Sequence, residues 1–377
     1  MNTDPQSYIL SEDESKVIFE RDIIPVELSA LSLLEPEQEY ISNEGAGDDD
    51  DTIGANPPPL AVLLVGQTGA GKTRTAPAIK AALTRLRGSG SSPNPRPLAH
   101  FVADTYKTYH PSYPALLSSP HPSLASPATS PDARRWLALA ASYAAQRNAD
   151  VLLESAARHP GDFADLARLF RHRRYRVEVV VLAVPAPLSR LGILVRFYEK
   201  LPEGGLRAGL PVRLTPRRVH DDSYAGLLDA AAFVDSGEDE GEDRDRGGGV
   251  VDQVVVVRRD NMVAYANERV TAGSSSSSSG TREWKQGPGG AADAVRLERR
   301  RPLTPAEKAG AELSLRRLRE MNLPGLENQL VEIEGLLEPL LIESDDLTFP
   351  PLKPLSLPSL THDLQFDAEA GLRLGMI

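Results

Sequence analysis

Eight consecutive residues, Gly66-Gln67-Thr68-Gly69-Ala70-Gly71-Lys72-Thr73, carry the sharpest chemical signal in the chain. They satisfy the pattern GxxxxGK[ST], directly after an apolar run and directly before a helix-forming segment. Such a loop points successive backbone N–H groups, and the start of the following helix, at the oxygens of a polyphosphate. Gly69 and Gly71 allow close approach and unusual backbone angles. Lys72 is expected to reach the β- and γ-phosphates, and Thr73 to offer its hydroxyl to Mg²⁺. An ordinary glycine-rich turn would match the letters but not the flanking elements.

A second group of residues falls at the predicted carboxyl ends of neighbouring strands, the edge where ligands collect in an open parallel sheet. Asp104, in VADTYKTYHPSY, can orient or deprotonate an acceptor hydroxyl, or else cap the next turn. Lys107 lies three residues on and can share its face, to hold a substrate phosphate or to orient Asp104. His110 is within reach of substrate or shapes the connection, and no set of metal ligands accompanies it. Glu154 can assist Mg²⁺ through water, bind a substrate group, or form a structural pair with Arg158. Arg196, inside GILVRFYEK, and Arg190 before it offer planar guanidinium groups for transferring phosphate oxygens, or lie at the surface. The cluster Arg168, Arg171, His172, Arg173, Arg174 and Arg176 lacks interleaved aromatics and reads as a solvated basic edge.

These residues need a frame. LAVLLV (60–65), LAHFVA (98–103), VLLE (151–154) and YRVEVVVLAV (175–184) read as buried parallel strands. KTRTAPAIKAALTRL, DARRWLALAASYAAQR (132–147), 162–172 and PLSRLGILVRFYEKL read as the helices between them, with Pro77 expected to kink the first. Strand–helix alternation predicts an α/β fold of P-loop NTPase type: a mostly parallel sheet covered on both faces. VDQVVVVRR (251–259) is expected to return a strand to the sheet.

Around this core, 57–272, the sequence predicts attachments. Residues 1–56 form an acidic extension, in which VIFERDIIPVELSALSLL docks as a strand and short helix. A hydrophilic insertion is expected at 237–249, a flexible linker at 273–303, a helical extension at 304–343 and a proline-rich arm at 344–377. Thr304, Pro305 and Glu307 make a helix start with a capping box.

Composition narrows the chemistry further. The 377 residues carry a net charge of −11, with 53 acidic residues against 42 Lys plus Arg, which does not suit a general nucleic-acid coat. There is no cysteine, so disulfides, thiolate metal sites and cysteine nucleophiles are excluded. No run reaches the roughly 20 apolar residues a membrane helix needs, and the amino end lacks a secretory pattern, so a cytoplasmic protein is expected.

With GQTGAGKT, ADTYKTYHPSY, LLESAAR, VRFYE and HDDSY (220–224) in this order, the chain resembles the zeta-toxin family of phosphate-loop kinases from about Leu60 to Phe233. The resemblance implies ATP or GTP as donor, with nucleotide contacts from Gly69, Gly71, Lys72 and Thr73. It implies Asp104 as general base, Glu154 as substrate or metal support, and Arg158 and Arg196 as phosphate-stabilising groups. Bacterial members phosphorylate the 3'-hydroxyl of the amino sugar in UDP-N-acetylglucosamine, and many occur beside a small inhibitory protein. Two departures bear on the acceptor. Lys107 stands where the family commonly has arginine, which loses the planar fork. SAAR lacks the threonine often found after the glutamate. The competing expectations are a metabolic or nucleotide kinase with another acceptor, and a nucleotide-regulated interaction module.

Overall fold

The computed structural model describes residues 4–36, 57–88, 96–198, 206–207, 210–211, 214–236, 249–271, 282–286, 290–342, 349, 351–358, 367 and 369–375. The hydrophilic insertion expected at 237–249 therefore lies, apart from Gly249, outside the described residues.

Among its described residues the amino-terminal segment corrects one expectation, because every element is a helix or helical turn and none is a strand. Ser11 and Glu14 form a reciprocal capping box that starts α1 (Glu12–Ile18). A wide turn, in which Ile24 N–H donates to the Phe19 carbonyl, leads into α2 (Ile24–Glu27) and α3 (Ser29–Ser32). Pro25 opens α2, where its missing N–H costs little. The buried residues Ser15, Ile18, Phe19 and Ile23 recur at helical spacing, and that outweighs the β-branched composition.

The core then alternates as its apolar runs dictate. β1 (Leu60–Val65) is buried along its whole length and feeds α4 (Lys72–Gly88), which continues through Pro77. β2 (Leu98–Val102) is followed by a 3-10 turn at Thr105–Tyr109, α5 (Tyr113–Leu117) and the long α6 (Ala125–Ala145). β3 (Asp150–Ser155), α7 (Pro160–His172), β4 (Arg176–Leu182) and α8 (Ala186–Tyr198) come next. A two-residue ladder, β5 (Leu206–Arg207) with β6 (Leu210–Pro211), precedes α9 (Arg217–Ser236). β7 (Gln253–Val257) returns to the sheet and turns into β8 (Met262–Thr271).

Part of the stretch expected as a flexible linker is folded. It contains β9 (Arg282–Trp284) and α10 (Ala291–Arg300). α10 starts at Gly290 without a cap of its own. Instead the Asp235 carboxylate, at the end of α9, accepts from the N–H groups of Ala291 (2.7 Å) and Ala292 (2.9 Å). A Cβ at Gly290 would lie 2.2 Å from Asp235 Cγ, so this arrangement requires glycine. α11 (Pro305–Glu320) begins with the Thr304/Glu307 capping box and packs with α12 (Leu326–Leu337) against α8. In the proline-rich tail, within the described residues 351–358, β10 (Lys353–Pro354) pairs antiparallel with β8. Its last described residues are not a free arm. Leu372 and Leu374 are buried, and the N–H groups of Leu374 and Gly375 donate to the buried Glu178 carboxylate at 2.8 and 3.0 Å.

The strand order is β10-β8-β7-β4-β1-β3-β2, with β9 beside β8. The five strands β2, β3, β1, β4 and β7 are parallel, and the later strands add antiparallel edges. This is a P-loop NTPase-like α/β architecture. Alternation along β1 divides the core into two layers. Ala61, Leu63 and Val65 face α6, α7, α9, α10 and the amino-terminal helices. Leu60, Val62 and Leu64 face α4, α8, α11, α12 and the tail. With five parallel strands running the same way, their carboxyl ends form one edge. Among the described residues no helix is long and apolar enough to cross a membrane.

Candidate active site

The loop between β1 and α4 is shaped by two glycines with positive φ, Gly69 at 82° and Gly71 at 106°. A Cβ on Gly69 would sit 2.0 Å from the Ser189 carbonyl oxygen, so no side chain fits there. Gln67 is fully buried and is a brace: its Nε2 donates to the Val184 carbonyl at 2.6 Å. Ser189 Oγ, the next neighbour of Gln67, bonds His220 Nε2 at 2.8 Å, and His220 Nδ1 meets Asp221 at 3.0 Å. This Ser–His–Asp series is no nucleophile site, because Ser189 and His220 are buried and Ser189 also bonds its own helix at Ala186 O. It ties the loop to α8 and α9. The Thr68 N–H donates to Ser223 Oγ at 3.2 Å, a second link to α9. Gly66 and Ala70 are buried beneath the turn, and Thr73 is exposed on the first turn of α4.

Lys72 Nζ donates to the Gly66 carbonyl at 2.6 Å, so the ammonium lies across its own loop. Burial pushes its pKa down to about 8, against the opposing fields of Glu154 and Asp104, while Arg196 adds to the depression. One ammonium thus senses a residue from the end of β3, one from the end of β2 and one from α8. Three residues singled out separately in the sequence share one electrostatic site with the loop lysine.

This shift has a measurable sign. Below about pH 8 the free protein presents an ammonium, and above it an amine; a bound polyphosphate favours the ammonium. Affinity for Mg-ATP is therefore expected to be level below that pH and to fall above it, by up to about tenfold per pH unit, with proton uptake on binding. Calorimetry in buffers of different ionisation enthalpy reads both quantities. A flat affinity and no proton uptake at about pH 9.5 would contradict the assigned role of Lys72.

The remaining sequence candidates separate into two groups. Asp104 is 60% exposed at its side chain, and its Oδ1 lies 2.6 Å from Lys107 Nζ. Its side chain makes no capping bond to the turn it precedes. Lys107 also donates to Ser126 Oγ at 3.2 Å. Glu154 is nearly buried and meets His100 Nε2 at 3.0 Å. The Glu154–Arg158 pair is not formed; Arg158 donates through Nε and Nη2 to Asp222 of α9, at 3.2 and 3.0 Å. Arg196 donates to Thr215 Oγ1 at 3.2 Å.

His110 stands apart. It is buried, its Nδ1 accepts from the Ser112 N–H at 3.1 Å, and its Nε2 meets the Tyr8 carbonyl at 3.0 Å. Asp132 lies 3.4 Å from the same nitrogen. The expectation that His110 binds substrate is corrected: its ring fastens the amino-terminal segment to the turn after β2. Arg190 is likewise structural, pairing at 2.7 Å with both Asp221 and Glu332.

A cavity of about 430 Å³ opens beside Thr68 and Asp104, between α6 and α7. Lys107, Arg134, Arg158 and His159 form its polar wall, and Leu137 and Phe163 are among its apolar residues. Burial, together with the Arg134 charge, holds His159 below the usual imidazole range. The space can therefore take a molecule with a hydroxyl near Asp104 and anionic groups near the arginines.

Three residues around the site escaped sequence reasoning, His100, Arg259 and Arg299, whereas Ser223 falls inside the HDDSY motif. Arg259 alone carried a usable signal, since it follows the strand VVVV at the same carboxyl edge. Arg299 stacks its guanidinium 3.6 Å above the Tyr224 ring and reaches Gln67 Oε1 at 3.4 Å, contacts that no local pattern announces. Among the described residues there is no group of three or more His, Asp or Glu side chains arranged to hold a metal.

Comparison with known proteins gives three findings. The family model described as zeta toxin matches residues 46–270, more than half of the chain. No curated protein matches. Among solved structures, one from the PezAT chromosomal toxin-antitoxin system of Streptococcus pneumoniae is 16% identical, with a TM-score of 0.52, covering 89% of this chain and all of its own. AvrRxo1-ORF1:-ORF2 with ATP is 15% identical with a TM-score of 0.39, covering 70% of this chain and 69% of that one. The same complex with sulphate ions is 14% identical with a TM-score of 0.42, covering 89% and 92%.

Proposed function

The chain belongs to the zeta-toxin family, and from that premise we propose that it transfers the terminal phosphoryl group of ATP or GTP to a hydroxyl of a sugar nucleotide such as UDP-N-acetylglucosamine. Membership carries a P-loop kinase activity; the acceptor, the site roles and the partner are our reading. The observation that supports it best is the convergence of Asp104, Glu154 and Arg196 on the Lys72 ammonium, beside a cavity of about 430 Å³.

In this reading the amides of residues 66–73 hold the donor phosphates. Lys72 moves from the Gly66 carbonyl to the β- and γ-oxygens, where its charge offsets that developing on the transferred group. Asp104, exposed and steered by Lys107, accepts the proton of the acceptor hydroxyl. Arg158 and Arg196 stabilise the transferring oxygens, and Glu154 orients the acceptor, or would help to hold Mg²⁺ through water. Arg158 must exchange Asp222 for substrate to do so. Bound at Thr73, Mg²⁺ would supply neutralisation of the β- and γ-phosphates. We assign the catalytic core to 57–272 and a cytoplasmic setting, and extend to this chain an inhibitory protein partner, as in the toxin-antitoxin system named above.

A second reading keeps the reaction and changes the acceptor. Leu137, Phe163, Leu166 and Leu169 give the cavity an apolar side, which favours an acceptor with an apolar body, as for a metabolic kinase. Incubation with magnesium and labelled ATP against sugar nucleotides and metabolites, with product masses measured, separates the two. One added phosphoryl group on UDP-N-acetylglucosamine is the expected product. Transfer to another acceptor alone would select the second reading, and transfer to none would remove both.

A further inference from the structure

The hairpin between β7 and β8 ends at the same sheet edge as the phosphate loop, and its tip is held by hydrogen bonds. Arg258 N–H donates to the Met262 carbonyl at 2.9 Å, and Asn261 N–H to the Arg258 carbonyl at 3.0 Å. Asn261 adopts a positive φ of 65°, a conformation that asparagine tolerates. Thr75, on the first turn of α4, donates its hydroxyl to Asn261 Oδ1 at 2.6 Å, which fastens the tip to the helix that the phosphate loop enters. Behind it, the Arg258 guanidinium is held by Glu298 through two bonds of 2.6 and 2.9 Å.

This frame delivers Arg259 across the loop. A Cβ on Gly71 would meet Arg259 Cγ at 3.5 Å and Nε at 3.8 Å. A Cβ on Gly192 of α8 would meet Arg259 Nη2 at 2.5 Å and the Gly69 carbonyl oxygen at 2.8 Å. The guanidinium therefore occupies a slot between both loop glycines and α8, a slot that exists because Gly192 has no side chain. Nη1 donates to the Leu188 carbonyl at 2.8 Å. Nε is buried and has no hydrogen-bond partner among the described residues. The charges sensed nearby are Arg74, a like charge, and Glu307 in opposition; burial and Arg74 push the Arg259 pKa down to about 10. A half-buried cation with a buried, unused donor, set beside a second cation and a loop of amides, is a poor arrangement for stability and a good one for an anion.

We propose that Arg259 is a donor-binding residue, whose guanidinium bonds the polyphosphate of the nucleotide from the α8 side of the loop while Lys72 holds it from within. The inference rests on the reading that residues 66–73 bind the donor. A planar fork suits phosphate oxygens, and one already desolvated in its slot gives up little hydration on binding.

The test is calorimetric binding of Mg-ATP and of magnesium tripolyphosphate to the full chain and to Arg259→Gln and Arg259→Lys, each checked for an intact melting transition. Arg259→Gln is expected to weaken both ligands by about tenfold or more and to the same extent, with Arg259→Lys between it and the unaltered chain. Unchanged tripolyphosphate binding in Arg259→Gln would overturn the proposal, as would a loss confined to ATP, since the contact would then be with the nucleoside. If Arg259→Gln does not fold, Arg259→Lys decides, and binding equal to the unaltered chain overturns it. Failure of the unaltered chain to bind either ligand would instead remove the donor site itself.

Discussion

Asp104→Asn is expected to bind Mg-ATP as the unaltered chain does and to transfer phosphate about a thousandfold more slowly, a loss of about 4 kcal/mol of transition-state stabilisation. Binding is spared because Asp104 sits at the end of β2 and lies outside the loop that cradles the phosphates. Folding is spared because the carboxylate is 60% exposed and its ion pair with Lys107 is of the kind worth at most about 1 kcal/mol. Asparagine keeps the shape and cannot accept a proton. Single-turnover transfer, with affinity measured on the same preparation, reads the two quantities apart. Transfer within a few-fold of the unaltered chain would leave Asp104 as a loop residue and require another base.

Lys72→Ala is expected to lose both steps. Nucleotide affinity should fall by about a hundredfold, and transfer at saturating nucleotide by about a thousandfold, because the ammonium acts in the bound state and more strongly in the transition state. Stability should move the other way. The ammonium is destabilised by burial and among the described residues donates to the Gly66 carbonyl alone, so its removal should leave the melting temperature unchanged or higher. A residue that costs stability where it stands is kept for what it does to a ligand. A melting temperature several degrees lower, with nucleotide affinity intact, would make Lys72 a structural residue.

The core was legible because its signals are local. LAVLLV, VLL and VVVV are continuous apolar runs, and only burial on both faces accommodates them. The capping box at Thr304 and Glu307 is a four-residue pattern. Phosphate-loop spacing is equally local. Partners set by tertiary structure were not legible. Arg158 looks like the natural mate of Glu154, yet its carboxylate comes from α9, 64 residues away. Sequence leaves His110 open between substrate and the connection it sits in, because nothing nearby shows that Tyr8 and Asp132 enclose it. α10 lay hidden in a stretch rich in Ser, Gly and Pro, since its cap is Asp235, 56 residues earlier. At Ile18, Phe19 and Ile23 β-branched neighbours mask the helical spacing, although Ser11 and Glu14 spell a capping box just before it.

The amino-terminal helices show where similarity and folding part company. The family match starts at residue 46, yet Ile18, Phe19, Ile23, Leu28 and Leu31 are buried in the layer that covers β1. Trp136 Nε1 donates to the Ser15 carbonyl, and Tyr109, on the turn behind Asp104, donates to Glu27. At about 2 kcal/mol for each of these five apolar side chains, the segment contributes on the order of 10 kcal/mol, comparable to the net stability of an ordinary domain. A boundary drawn at the limit of family likeness would thus cut through the molecule's own interior. The turn presenting the Asp104 carboxylate would be left standing on exposed oil, so the smallest autonomous unit is larger than the ancestry it displays.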